Sequence, residues 1–79
     1  MTRSVLARGA KVYLKRGDED AGVPPSRQGT VQAVGITSAH HWRYYVCWWD
    51  DDGRWKAWFD ADEVEPVDDD PPRLTVVFP

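Results

Sequence analysis

Several familiar functional signals are missing from this sequence. Cys47 is the only cysteine among 79 residues, so no intrachain disulfide can form and a thiolate metal centre lacks its ligands. Small domains in oxidising compartments usually carry disulfide staples, so a cytoplasmic location is expected. No apolar run approaches the roughly 20 residues of a membrane-spanning helix. The opening residues, Met1 to Arg8, lack the apolar core of a signal peptide. There is no glycine-rich phosphate loop, nucleophile elbow or zinc spacing. The only histidines, His40 and His41, are adjacent, and side chains of adjacent residues in extended chain point to opposite sides. The acidic runs Asp50-Asp51-Asp52 and Asp68-Asp69-Asp70 lack the alternating ligands and closing Glu of a calcium loop. They read as a hairpin turn and a solvated linker. No cofactor, metal or catalytic residue is expected.

Aromatic residues, in contrast, are plentiful: five Trp, three Tyr and two Phe. A buried ring removes roughly 150–250 Å² from water, so four or five rings would supply most of a core this small. The others must lie at the surface, and they are the main pointer to a partner. Charge is divided unevenly. Residues 1–43 hold seven Arg or Lys and three Asp or Glu, a net of +4; residues 44–79 hold three and ten, a net of −7. The acidic total argues against general nucleic-acid affinity, which depends on basic residues releasing counterions. The basic half keeps a nucleic-acid surface as an alternative, on Lys11, Lys15, Arg16, Arg27 and Arg43.

Alternation of apolar and polar residues predicts strands. Residues 1–8 read as a loose arm. Val12 and Leu14 share a face in the segment 10–15. A loop follows over residues 16–27, with Pro24-Pro25 at its end. In the segment 29–36, Val31 and Ala33 are expected on one face and Thr30, Gln32 and Val34 on the other. Residues 37–41 form a polar connection. The longest strand runs from Trp42 to Asp50. Asp52-Gly53 suits a two-residue type I′ turn, which would pair Asp51 with Arg54, Trp48 with Ala57 and Val46 with Phe59. That register sends Val46, Trp48, Ala57 and Phe59 inward, and Tyr45, Cys47, Trp49, Lys56 and Trp58 outward. Asp60 and Glu63 fit a capping box on one helical turn, and Val64 and Val67 return to the core. Asp68 to Pro72 is a linker by composition. Residues 73–78 are apolar and β-prone, and are expected to pack as a strand on this chain's own barrel or on a neighbour's.

The order of these features suggests a family: Gly9-Ala10-Lys11-Val12, a long loop, Gly29-Thr30-Val31, Tyr44-Tyr45-Val46-Cys47-Trp48, an Asp-Gly hairpin, and Asp62-Glu63-Val64-Glu65-Pro66. It resembles SH3-like small barrels of the Tudor and KOW kind across residues 9–67, and implies an all-β, five-stranded barrel with an additional C-terminal strand. The pattern is also similar to the type II dihydrofolate reductases and the photosystem I accessory subunit. The reductases carry a Val-Gln-Ile-Tyr stretch where this chain has Lys56-Ala57-Trp58-Phe59, so their activity is not carried over. The photosystem subunit lacks the Trp surplus and the acidity of this chain. The resulting expectation is a non-enzymatic module that binds a protein or peptide through Tyr45, Trp49, Trp58, Trp42 and Lys56. Nucleic-acid binding, and an oligomeric enzyme with its site between subunits, remain as alternatives. A homo-oligomer formed through the C-terminal segment is a further expectation.

Overall fold

The computed structural model describes residues 1–16, 27–50 and 53–79, excepting the side chains of residues 49, 50 and 53–55. The chain is all-β, with seven strands in two antiparallel sheets among the described residues. The strands are β1 (Thr2–Leu6), β2 (Lys11–Leu14), β3 (Gln28–Ser38), β4 (His41–Asp50), β5 (Gly53–Asp60), β6 (Val64–Pro66) and β7 (Arg73–Val77). The larger sheet has the order β5-β4-β3-β2-β6, and β1 and β7 form a ribbon of their own. Among the described residues no ladder joins the edge strands β5 and β6, so the expected barrel closure is not found.

Alternation places Val12 and Leu14 inside, as expected. Strand β4, expected to be the longest but one residue shorter than β3, sends Tyr44, Val46 and Trp48 into the core, where Phe59 meets Trp48 edge to face, with ring centroids 5.1 Å apart. The β4–β5 register differs from the expected one by two residues. Asp50 pairs with Gly53, Trp48 with Trp55, Val46 with Ala57 and Tyr44 with Phe59. A shift of two preserves the side-chain period, so the inward set survives although its partners change. Residues 51–52, including the Asp of the expected Asp-Gly turn, lie outside the described residues, as do residues 17–26 of the long loop.

In β3 the pairing slips at Gln32. Val31 opposes Val46, but the next paired residue, Ala33, opposes Tyr45, and Val34 opposes Tyr44. An extra residue in one strand reverses its face beyond that point. Val34 therefore packs against the core and Ala33 turns outward, the reverse of simple alternation. After β5, Ala61–Glu63 makes a 3-10 turn, and the Asp60 backbone N–H donates to Glu63 Oε1 at 3.4 Å. The Asp60 side chain in turn faces the Glu63 backbone N–H, so the expected capping box is present. Val64 is buried and Val67 half-buried.

The largest departure from expectation is at the N-terminus. Residues 2–6 are not a loose arm. They pair with residues 73–77 from Thr2 opposite Val77 to Leu6 opposite Arg73, and Val5 and Leu6 are 1% and 4% exposed. The ribbon shares one core with the larger sheet, since Val5, Leu6 and half-buried Val76 join the same cluster as Val12, Val46 and Trp48. Within residues 68–72 the three Asp side chains are exposed, but Pro71 is buried, so the segment is only in part a solvated linker.

Candidate partner-binding face

The bulge at Gln32 fixes what the outer surface of the sheet carries. With β3 rephased, three rows cross the strands. Lys11, Thr30, Cys47 and Lys56 form the first, Ala33, Tyr45 and Trp58 the second, and Gly35, Arg43 and Asp60 the third. The second row is apolar and the third pairs opposite charges. Tyr45 and Trp58 are direct cross-strand partners, with ring centroids 5.0 Å apart and planes tilted by 44°. Trp58 is 44% exposed, while Tyr45 is half-buried. The Trp58 ring reaches across to Gly35. A Cβ at position 35 would lie 3.2 Å from Cζ3 and 3.5 Å from Cη2. A glycine at this point leaves room for the indole to lie low over the strand.

Charged groups border the rings. Arg43 Nε lies 3.4 Å from Asp60 Oδ1, and His41 Nε2 lies 3.2 Å from the same oxygen. Thr37 Oγ1 is 2.8 Å from His41 Nδ1 and donates to the His41 carbonyl at 2.7 Å. His40, His41, Trp42, Asp60, Ala61 and Asp62 line an open depression beside this cluster. The carboxylates of Asp60, Asp62 and Glu63 offer atoms within 4.8 Å of one another, but they are half-buried or exposed at the 3-10 turn and nothing there indicates an ion.

Of the expected partner-binding residues, Tyr45 and Trp58 are brought together, and Lys56 is exposed one row away. Trp42 is not on this face. It shares the inward phase of Tyr44, packs against the core and donates its indole N–H to the Tyr44 hydroxyl at 2.8 Å. The side chain of Trp49 lies outside the described ones. Cys47 belongs to the outer row by parity, yet it is 2% exposed, so the outward thiol expected from alternation is buried. Among the described side chains the rings make two separate pairs, one inside and one outside.

The basic residues proposed for nucleic acid do not form a single patch. Lys11 Nζ donates to Thr30 Oγ1 at 3.3 Å, Lys15 lies 3.7 Å from Glu65, and Arg43 is paired with Asp60. Arg16 is exposed beside Asp62 and Glu63, and Arg27 is half-buried. Carboxylates accompany Lys15, Arg16 and Arg43, which weakens the attraction such a surface would exert on phosphates.

Alternation alone missed two features. The Tyr44 hydroxyl accepts the Leu6 backbone N–H at 3.0 Å as well as the Trp42 indole, and so joins the ribbon to the sheet. Arg3 Nε donates to the Ala39 carbonyl at 2.8 Å, and Arg3 Nη2 lies 3.0 Å from His40 Nδ1. Neither long-range contact has a local signal, because 38 and 36 residues separate the hydrogen-bonded partners. No family model, curated protein or solved structure matches the chain.

Proposed function

We propose that this chain is a non-enzymatic interaction module of the SH3-like kind, and that an extended peptide docks on Trp58 and Tyr45. The fold half of the reading is supported by element order. A short basic strand β2 is followed by the meander β3-β4-β5, a 3-10 turn, and a short strand β6 that returns against β2. That order agrees with the resemblance carried by Gly29-Thr30-Val31 and Asp62-Glu63-Val64-Glu65-Pro66.

The functional half rests on one observation: a large ring, 44% exposed, packed at a tilt against a neighbouring ring and seated over a glycine. Rings of this kind supply contact area at little entropic cost. The exposed Trp58 face suits an arginine or lysine side chain, and such a contact contributes about 0.5–1 kcal/mol at an exposed site. Asp60, two residues along β5 on the same face, adds a carboxylate for the cationic head.

The test is a titration of isotope-labelled protein with an extended peptide carrying one Arg between apolar residues, followed at the Trp58 indole resonance. Binding should shift that resonance and weaken severalfold in Trp58→Ala, while Lys11→Ala leaves it unchanged. No shift with the peptide would reject the reading. A salt-sensitive shift with single-stranded DNA in its place would favour the nucleic-acid alternative.

A further inference from the structure

Among the described residues one strand of the ribbon is tied to the larger sheet and the other has a bare edge, which is self-complementary. Met1 and Phe78 exchange backbone hydrogen bonds, Phe78 N–H to the Met1 carbonyl at 2.8 Å and the Met1 amine to the Phe78 carbonyl at 3.2 Å. At the far end Ala7 N–H donates to the Pro72 carbonyl at 2.9 Å. In an antiparallel ladder, pairs that exchange hydrogen bonds alternate with pairs whose N–H and C=O groups point away. The pairs Arg3–Val76 and Val5–Leu74 therefore face each other. Thr2, Ser4 and Leu6 on β1, and Arg73, Thr75 and Val77 on β7, turn their backbone groups outward.

The two edges meet different fates. On β1 the outward Leu6 N–H is taken by the buried Tyr44 hydroxyl and the Arg3 side chain binds the Ala39 carbonyl, so β1 is tied to the sheet at these two residues. Among the described residues β7 pairs only with β1. Val77 and Leu74 are 74% and 50% exposed. Edge strands are ordinarily protected by lysines, prolines, bulges or inward charges. The interior of β7, Leu74-Thr75-Val76, has none of these, and its pairing with β1 runs without a register shift.

We propose that β7 of one molecule adds antiparallel to β7 of a second copy, joining two ribbons into a four-stranded sheet. The outward groups fix the register. A two-fold axis at Thr75 pairs Thr75 with Thr75 of the other copy and Arg73 with its Val77, in both directions, and satisfies every outward group of the strand. On the face that carries half-buried Val76, exposed Leu74 of each copy then lies opposite Val76 of the other. This is a position without backbone hydrogen bonds, where side chains approach closest. Charge selects the same arrangement. Antiparallel addition holds the two Asp68–Asp70 runs at opposite ends and leaves no two like charges facing each other, whereas parallel addition would set both runs side by side. The contact is isologous and closes at two copies. One added strand buries less than the roughly 1,200 Å² typical of a stable complex, so the dimer is concentration-dependent.

The test is solution mass by sedimentation over a concentration series, with variants at the axis. Thr75 is exposed and its backbone N–H faces away from β1, so Thr75→Lys and Thr75→Glu should leave the fold, read by circular dichroism, unchanged. Wild type should move towards twice the chain mass as concentration rises. Each variant alone should stay at one chain mass, because like charges meet across the axis, and an equal mixture of the two should recover the doubled mass. Wild type that remains at one chain mass to its highest soluble concentration would overturn the proposal. So would a dimer indifferent to Thr75→Lys. Neither result bears on peptide binding at Trp58, which lies on a different sheet.

Discussion

Two glycines next to tryptophans show how local space governs individual residues. A Cβ at Gly29 would lie 2.7 Å from both Trp48 Nε1 and Val46 Cγ1, and 2.9 Å from Trp48 Cδ1. Trp48 and Val46 are fully buried and have no room to retreat. Gly29→Ala should therefore cost about 1–3 kcal/mol by overpacking, measured by urea denaturation. At Gly35 the atom in the way belongs to the exposed Trp58 ring, which can move. Gly35→Ala should change stability by less than about 0.5 kcal/mol, yet shift the Trp58 indole resonance and weaken peptide binding. Tyr44 presents the opposite case, a side chain that satisfies others. Its hydroxyl accepts two donors, and Tyr44→Phe strands the Leu6 N–H and the Trp42 indole. Leaving a buried donor unsatisfied costs about 1–3 kcal/mol, so this variant should lose at least that much in the same denaturation experiment. The Trp48 indole N–H already lacks a partner among the described residues, which makes further orphaned donors in this core harder to tolerate.

Between elements, the pairing of β2 with β6 joins the basic half of the chain to its acidic half. Tyr13 and Glu65 are direct cross-strand partners, and the Tyr13 hydroxyl donates to Glu65 Oε2 at 2.7 Å. That hydrogen bond, then the carboxylate's charge, then slight desolvation, raise the Tyr13 pKa above its ordinary value of 10.0. A raised phenol pKa means that the folded state holds its proton longer than the unfolded chain does. The associated stability is complete below the unfolded value and is lost as pH climbs through the folded one. An ultraviolet titration should show Tyr13 ionising at higher pH than a free tyrosine, and Glu65→Gln should reduce the shift. Denaturation midpoints should decline above about pH 10, and less so in Tyr13→Phe. Another element-level feature, the bulge at Gln32, decides which side of β3 faces out. Deleting Gln32 would remove the extra residue while leaving Ala33 opposite Tyr45 and Val34 opposite Tyr44, so the deletion variant should still fold and keep both cross-strand contacts, read by nuclear Overhauser effects.

For the molecule as a whole, the ribbon is part of the fold and not an appendage. Leu6 is 4% exposed and shares a core cluster with β2, β4 and β5. Leu6→Ala should cost about 2–5 kcal/mol, a large share of the stability of so small a domain. Leu74, in the same ribbon but half exposed, should tolerate Ala within about 0.5 kcal/mol in the single chain. That contrast separates the two roles of the ribbon: β1 completes the core, while β7 holds β1 in place and, among the described residues, pairs with no other strand.

Much of the architecture was legible in residue order because it depends on local period and turn chemistry. Alternation located β2 to β5 within a residue or two, sent Val12, Leu14, Val46, Trp48 and Phe59 inside, and placed the turn at Asp60 to Glu63. Burial parity carried the outward Tyr45 and Trp58 through a register error of two residues, since a strand repeats every two. The sequence could not reveal what depends on contacts between distant residues. The loose look of residues 1–8 gives no hint of β1, because its stability comes from Arg73–Val77 and the Tyr44 hydroxyl. The reversal of Val34 and Ala33 depends on how β3 is paired with β4, whereas the inward side of Trp42 follows from its parity with Tyr44 on the same strand. Local preference, in short, determined which segments are strands and which of their faces are apolar. Tertiary pairing decided which strands lie side by side and which residues of β3 face out, because a strand's neighbours are chosen by the whole core and not by its own residues.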